Sequence, residues 1–174
     1  VRRDFEMINT AFNGANVISV LIETHVNDAL TDPSLIREVD ELEGWLRQQP
    51  EVGSVASYVD HLKLTHQSLN NNSPIYFSVP DDAAAVKQLL VFASGEQIRH
   101  VIDSRFRTAL LSVRINVDGS VPVAALVERI EARLKVLPQP LNAQVTGSPV
   151  LATRTVQEIA SGQLESIAIA TFGI

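Results

Sequence analysis

The chain has 174 residues, and its 14 Lys and Arg against 20 Asp and Glu give a formal net charge of -6. Hydrophobic residues make up 45% and charged residues 20%, a composition that can build a packed core and is unlike that of a disordered chain. The absence of cysteine excludes disulfides, thiolate metal sites, iron-sulfur clusters and a cysteine nucleophile. With no basic run or RNA-binding aromatic motif, nucleic acid is not an expected partner.

A first β-α-β unit is predicted at about residues 16–60. The β-branched, apolar run over residues 16–24 predicts a central strand covered on both faces. Asp32 and Pro33 then supply an N-cap and a proline at the first helical position, and apolar residues at helical spacing predict a helix that ends before Pro50. A short strand over residues 52–58 completes the unit. The exposed side of the helix is expected to carry Arg37, Glu38, Glu41 and Glu43.

A second unit is predicted at about residues 104–147, after helices at 59–69 and 81–94. Alternating apolar and polar residues over 106–117 predict the longest strand, with one face in water. A helix is then predicted from about residue 120, and a closing strand over 141–146. The buried stripe of this helix is expected to comprise Val123, Val127, Ile130, Leu134 and Leu137.

Two such units with right-handed crossovers can interleave into one four-stranded antiparallel sheet with both helices on one face. The predicted fold class is therefore α+β, a ferredoxin-like split β-α-β sandwich with additional helices. We treat residues 1–174 as a single domain. The predicted strands are 17–23, 54–58, 106–117 and 141–146, the covering helices lie near 34–49 and 121–136, and the additional helices are 59–69, 81–94 and about 155–174.

The histidines, His25, His61, His66 and His100, do not form a recognisable metal or catalytic pattern. His61 and His66 are five positions apart, so they do not share a helix face as an i,i+4 metal-binding pair would. Asp60 beside His61, with serines at 54, 57 and 68, suggests a hydrolytic triad, but no nucleophile elbow occurs and adjacent side chains point apart. We expect these residues to be ordinary polar side chains on the protein surface.

Neither the acidic residues nor the glycines predict a site. Glu38, Asp40, Glu41 and Glu43 are paired carboxylates, but their spacing places them on an exposed helix side with no apolar cleft. The eight glycines are scattered singly, so no phosphate-binding loop can form. We therefore expect no catalytic, cofactor-binding or metal-binding residues, no cofactor and no enzymatic activity.

The last nine residues, 166–174, carry no charge. A membrane span needs about 20 apolar residues, so this stretch cannot span by itself, but it can be the first two turns of a longer span. The alternative is a buried C-terminal helix, which the nine residues alone slightly favour. The start of the chain, Val1-Arg2-Arg3-Asp4, has no signal-peptide pattern and is expected to be a cut within a longer protein.

Four passages, taken in order, resemble the large extracytoplasmic loop of resistance-nodulation-division (RND) superfamily transporters. They are similar to the predicted lipid and hydrophobe exporter (MMPL-like) branch. Residues 12–23 resemble its turn and first hydrophobic strand, and residues 50–60 resemble its helix followed by V-x-S-V-x-S. Residues 79–95 resemble its second helix-bearing stretch. Residues 145–149 with 159–166 resemble the exit strand and the helix that becomes the second membrane span.

This resemblance implies a periplasmic porter domain of a proton-driven exporter of lipids or other hydrophobic compounds in the cytoplasmic (inner) membrane. Such a domain acts by conformational change, and the proton-carrying residues lie in membrane helices outside this chain. The implied partners are a lipid-like substrate and the remaining transmembrane and periplasmic parts of the same transporter, and a homo-oligomer is compatible with it. The resemblance also favours a membrane-entry role for residues 166–174. The alternative is a free-standing ferredoxin-like domain that binds a small ligand or a protein; a hydrolase based on Asp60 and His61 ranks third.

Overall fold

The computed structural model describes residues 15–93, 98–155 and 159. Four strands form one sheet in the order β2-β3-β1-β4, and each neighbouring pair is antiparallel. The strands are β1 (Asn16–Glu23), β2 (Val52–Ala56), β3 (Thr108–Ile115) and β4 (Asn142–Thr146). The helices are α1 (Pro33–Arg47), α2 (Tyr58–Leu69), α3 (Ala83–Phe92), α4 (Ser120–Leu134) and α5, which covers residues 148–155.

The strand order is that of a ferredoxin-like sandwich, so the predicted fold class is confirmed. In this arrangement β3 lies between β1 and β2, and β1 lies between β3 and β4. The fully buried side chains of the two central strands alternate along the chain and face α1 and α4 across the core. These side chains are Ile18, Val20, Ile22, Leu111, Val113 and Ile115.

The two covering helices begin and pack as their sequences predict. Asp32 caps α1, since its carboxylate accepts a hydrogen bond of 2.8 Å from the Ser34 N–H, and Pro33 occupies the first turn. Ile36, Val39, Leu42 and Leu46 are completely buried in α1. All five residues of the expected stripe are buried and Leu126 joins them, but α4 ends at Leu134, so Leu137 lies after the helix and not in it.

The α2 and α3 helices are additions to the minimal sandwich. They pack against each other, while α2 also contacts α1 and β3 and α3 contacts the short 3-10 turn Ala29–Thr31. A second 3-10 turn, Pro74–Tyr76, packs on α2. A third, Ile98–His100, precedes β3.

The expectation that β1 is covered on both faces is wrong. Val17 is 41% exposed, and Ser19 and Leu21 are half-buried on the same face. Both α1 and α4 pack on the other face, and neither covers this one. Leu21 lies opposite Leu110, and Ser19 lies opposite Ser112, which gives the open sheet face a mixed apolar and polar surface.

Two strands are shorter than predicted, because a local interaction ends each of them. Phe106 has a φ of 49°, in the left-handed region, and so cannot continue β3 backwards. The side chain of Ser57 accepts a hydrogen bond of 2.9 Å from the Val59 N–H and caps α2, so β2 ends at Ala56. Tyr58 is therefore the first residue of a helix and not the last of a strand.

The helix after β4 begins at residue 148, earlier than the predicted start near 155. Val150 and Thr153 are buried, and Arg154 donates a hydrogen bond of 2.6 Å to Glu131 of α4. The rest of the predicted terminal helix lies outside the described residues, apart from residue 159, which is helical. So do residues 1–14 and the expected cut at the start of the chain. Among the helices that are described, none has the length and hydropathy needed to cross a bilayer.

Candidate functional site

A buried polar cluster joins α1 to α2. At its centre the side chain of Glu43 is completely buried. One of its carboxylate oxygens accepts a hydrogen bond from the Ser57 hydroxyl, and the other accepts one from Arg47 Nη2 at 3.0 Å. Ser57 is itself buried and caps α2, so Glu43 is connected directly to the first turn of the neighbouring helix.

Arg47 connects three parts of the fold. Besides Glu43, its Nη2 group donates to the Val55 carbonyl oxygen of β2 at 3.2 Å and to Asp60 Oδ2 of α2 at 2.7 Å. One guanidinium group therefore bridges the end of α1, a strand and the first turn of α2. All three acceptors lie around a single guanidinium nitrogen, Nη2.

Lys63 extends the contact further along both helices. Its ammonium group lies 2.5 Å from Asp40 Oδ1 and 3.9 Å from Asp60 Oδ1, and only 8% of its side chain is exposed. The same ammonium group lies 5.1 Å from the centre of the Phe77 ring. We refer to the set that links the helices as the α1–α2 polar cluster: Asp40, Glu43, Arg47, Ser57, Asp60 and Lys63.

Burial is the main cause of an altered proton affinity at Glu43. It raises the pKa of this carboxyl group from 4.5 to about 7, with a smaller upward contribution from Asp60. The hydrogen bond from Ser57 and the positive charges of Arg47 and Lys63 act in the opposite direction and do not offset it. Burial also raises the pKa of Tyr58, whose completely buried hydroxyl has no hydrogen-bond partner in the described residues.

The placement of Glu43 on an exposed helix side is therefore wrong. Glu41 is exposed and Glu38 is half-buried, but Glu43 faces inward. The signal was present in the helical spacing, since position 43 lies four residues after Val39 and three before Leu46, both in the buried stripe. Arg47, four residues later on the same helix, supplies the opposite charge that pairs with a buried glutamate at position 43.

The residues considered for a hydrolytic triad do not come together. Ser57 binds Glu43 and Asp60 binds Arg47, and no hydrogen bond joins Asp60 to His61 in the described residues. His66 Nδ1 lies 2.8 Å from the Ser78 carbonyl oxygen, and its ring meets Tyr76 edge-on at 5.3 Å. His25 and His100 are exposed at other places on the surface.

A mostly apolar cavity of about 590 Å³ lies between α3 and the segment that precedes β3. Its apolar lining residues are Leu90, Val91, Ile98, Ile102 and Phe106. The charged ones are Arg99 and Asp103, and Asp103 Oδ1 already accepts hydrogen bonds from the Arg107 and Thr108 N–H groups at 2.7 and 2.9 Å. These residue types suit contact with a hydrophobic molecule more than bond chemistry.

These sites offer proton binding at Glu43 and nonpolar contact in the cavity beside α3. Glu43 can gain or lose a proton, but its complete burial prevents it from meeting a substrate. Within the residues that the structure describes, no group of three or more acidic or histidine side chains is placed to hold a metal ion. Comparison of the chain with protein-family models and with curated proteins finds no match.

Proposed function

We propose that the chain is a periplasmic porter domain of a proton-driven RND-type exporter of lipids or other hydrophobic compounds. The observation that carries this proposal is the order of the four passages that resemble the exporter loop. A ferredoxin-like sandwich hosts many functions, so the fold alone does not favour this one.

The positions of the passages in the fold support the proposal. Residues 50–60 span the exit from α1, all of β2 and the start of α2, which is where the α1–α2 polar cluster forms. Residues 79–93 contain α3, and residues 145–149 contain the step from β4 into α5. Two of the passages, 50–60 and 145–149, thus fall at junctions between elements, whereas 79–93 consists mainly of α3 and the described part of 12–23 is β1.

A porter domain works by moving against its neighbours, and two surfaces of the domain are available for such contacts. The open sheet face presents the half-buried Leu21 and Leu110 between the Ser19–Ser112 and Glu23–Thr108 pairs, and α1 and α4 leave it free among the described residues. The cavity beside α3 offers an apolar lining. Neither surface requires bond chemistry, which agrees with a function based on conformational change without catalysis.

A second candidate is a free-standing domain that binds another protein, and an exposed apolar surface favours it. This surface lies along α2 and the adjoining 3-10 turn, and its side chains are between 41% and 78% exposed. It consists of Leu64, Leu69, Ile75, Tyr76 and Phe77. Exposed apolar patches commonly mark interaction sites, either with a separate protein or with another part of the same transporter.

The complete reading frame that encodes this chain tests the proposal. The exporter account predicts about 20 consecutive apolar residues on each side of the segment, enough for a membrane helix, and a second similar loop after the seventh span. A reading frame without flanking apolar segments would contradict it and favour the free-standing domain. This test does not require the transported molecule to be known.

A further inference from the structure

The α1–α2 polar cluster holds more negative than positive charge around a carboxyl group that is closed to water, whereas Arg47, Asp40 and Asp60 at its edge are 38%, 33% and 24% exposed. The Glu43 side chain is completely buried, and Lys63 is 8% exposed. The charged groups that face Glu43 are Arg47 from its own helix and Asp60 and Lys63 from α2. With Asp40 bound to Lys63, three carboxyl groups share two cations.

Uptake of one proton by Glu43 balances this charge. Two carboxylates then remain opposite Arg47 and Lys63. In the neutral acid one oxygen still accepts from Arg47, and the protonated oxygen donates to Ser57 Oγ, which continues to accept from the Val59 N–H, so the Ser57 hydroxyl proton turns away from Glu43. The ionised form leaves one negative charge in excess in the cluster and keeps a charged carboxylate in a completely buried position.

We propose that Glu43 is a proton-operated latch between α1 and α2: its carboxyl group is neutral while the helices are docked, and its ionisation loosens α2. Ser57 transmits the change, because it contacts Glu43 and caps the first turn of α2. This inference goes beyond the proposed transport function and does not depend on it. It assigns Glu43 a positioning role, since this residue acts through α2 and contacts no ligand.

The pH range over which docking of α2 changes, and the direction of that change, follow from the pKa of Glu43 in the docked and undocked states. Burial holds its pKa at about 7 in the docked state, whereas an undocked glutamate has the ordinary value of 4.5. Between these values the docked state binds more protons, so rising pH weakens docking over this range, and the effect levels off above pH 7. The opening equilibrium constant of α2 should rise on the order of a hundredfold between pH 4.5 and 7.

Two measurements on the 174-residue chain test the latch. Carbon-13 NMR of the glutamate carboxyl groups should show one signal that titrates near pH 7, and this signal should be missing in Glu43→Gln. Amide hydrogen exchange at pH 5 and pH 7.5, corrected for intrinsic rates, should show a large loss of protection in α2 at the higher pH. The amides of β1 and β3 should remain more protected than those of α2 under both conditions.

Matched variants separate the latch from a general charge effect. Glu43→Gln mimics the neutral acid, so protection of α2 should become independent of pH, whereas Glu41→Gln removes an exposed charge from the same helix and should behave as wild type. A Glu43 signal that titrates below pH 5.5 would overturn the proposal. So would α2 amides that exchange only together with those of the sheet. Both of these results come from the wild-type chain and do not require the variant to fold.

Discussion

At the scale of single residues, Gly147 follows β4 with a backbone conformation and surroundings that do not suit a side chain. Its φ is 122°, a value that side chains other than glycine rarely adopt. A Cβ atom added there would lie 3.3 Å from both the Ile18 Cα and the Val17 carbonyl oxygen of β1. The turn from β4 into α5 therefore depends on a residue without a side chain.

We expect Gly147→Ala to lower the free energy of unfolding by about 1 to 3 kcal/mol, because it forces both an unfavourable φ and a close contact with the β1 backbone. Urea denaturation followed by circular dichroism measures this change. Gly44→Ala is the matched control, since Gly44 lies inside α1 and a Cβ atom added there would meet no atom within 4 Å. This control should stabilise the chain by roughly 0.5 to 1 kcal/mol. Equal effects at the two glycines would contradict the account.

Glu43 shows how far single residues can be interpreted without the fold. Its helical phase indicates burial, and Arg47 at i+4 indicates an ion pair. The Ser57 hydroxyl reaches Glu43, and Asp60 reaches Arg47, only because the chain returns through β2 so that α2 lies beside α1. Sequence periodicity does not indicate that α2 will lie beside α1, so the α1–α2 polar cluster could not be predicted in full.

At the scale of elements, the starts of α1 and α3 were predictable from their capping aspartates, whereas the Ser57 cap of α2 was not recognised. Asp32 and Asp82 precede α1 and α3, and both accept hydrogen bonds from the first turn. The beginning of β3 was not predictable, since Asp103 holds a turn through the N–H groups of Arg107 and Thr108 and places Phe106 in a left-handed conformation. Burial alone would raise the pKa of Asp103, but these N–H groups and that of Arg105 outweigh it and lower the pKa.

The neighbouring residues Asp81 and Asp82 allow a sharp test of capping in α3. Asp82 accepts a hydrogen bond of 2.8 Å from the Ala85 N–H, whereas Asp81 is 98% exposed and pairs with Arg37. We expect Asp82→Ala to cost about 1 kcal/mol of unfolding free energy, as loss of an N-cap usually does. Asp81→Ala should have little effect, because exposed ion pairs contribute little.

Urea denaturation of the two variants under one set of conditions makes the comparison. A larger loss of stability in Asp81→Ala than in Asp82→Ala would show that the ion pair to α1, and not the cap, maintains α3. The two substitutions remove the same group and the same charge, so a difference between them reports only its position.

At the scale of the whole molecule, strand periodicity and two β-α-β patterns were enough to predict the ferredoxin-like sheet and the helices on one face. The alternation of Leu111, Val113 and Ile115 with polar residues identified the buried face of β3. The prediction that both faces of β1 are covered was wrong, because an apolar run in the sequence does not show whether helices cover one face of the strand or both. The proposed function came from resemblance, since a ferredoxin-like fold does not by itself indicate one.

The central claim, a periplasmic porter domain, concerns the side of the membrane on which the domain lies, and reporter fusions measure this directly. Alkaline phosphatase or β-galactosidase would be fused after residue 155, within the full reading frame that encodes the chain. The phosphatase is enzymatically active only outside the cytoplasm, and the galactosidase is active only inside it. The account predicts an active phosphatase fusion and an inactive galactosidase fusion in the membrane fraction. An active galactosidase fusion with an inactive phosphatase fusion would contradict it.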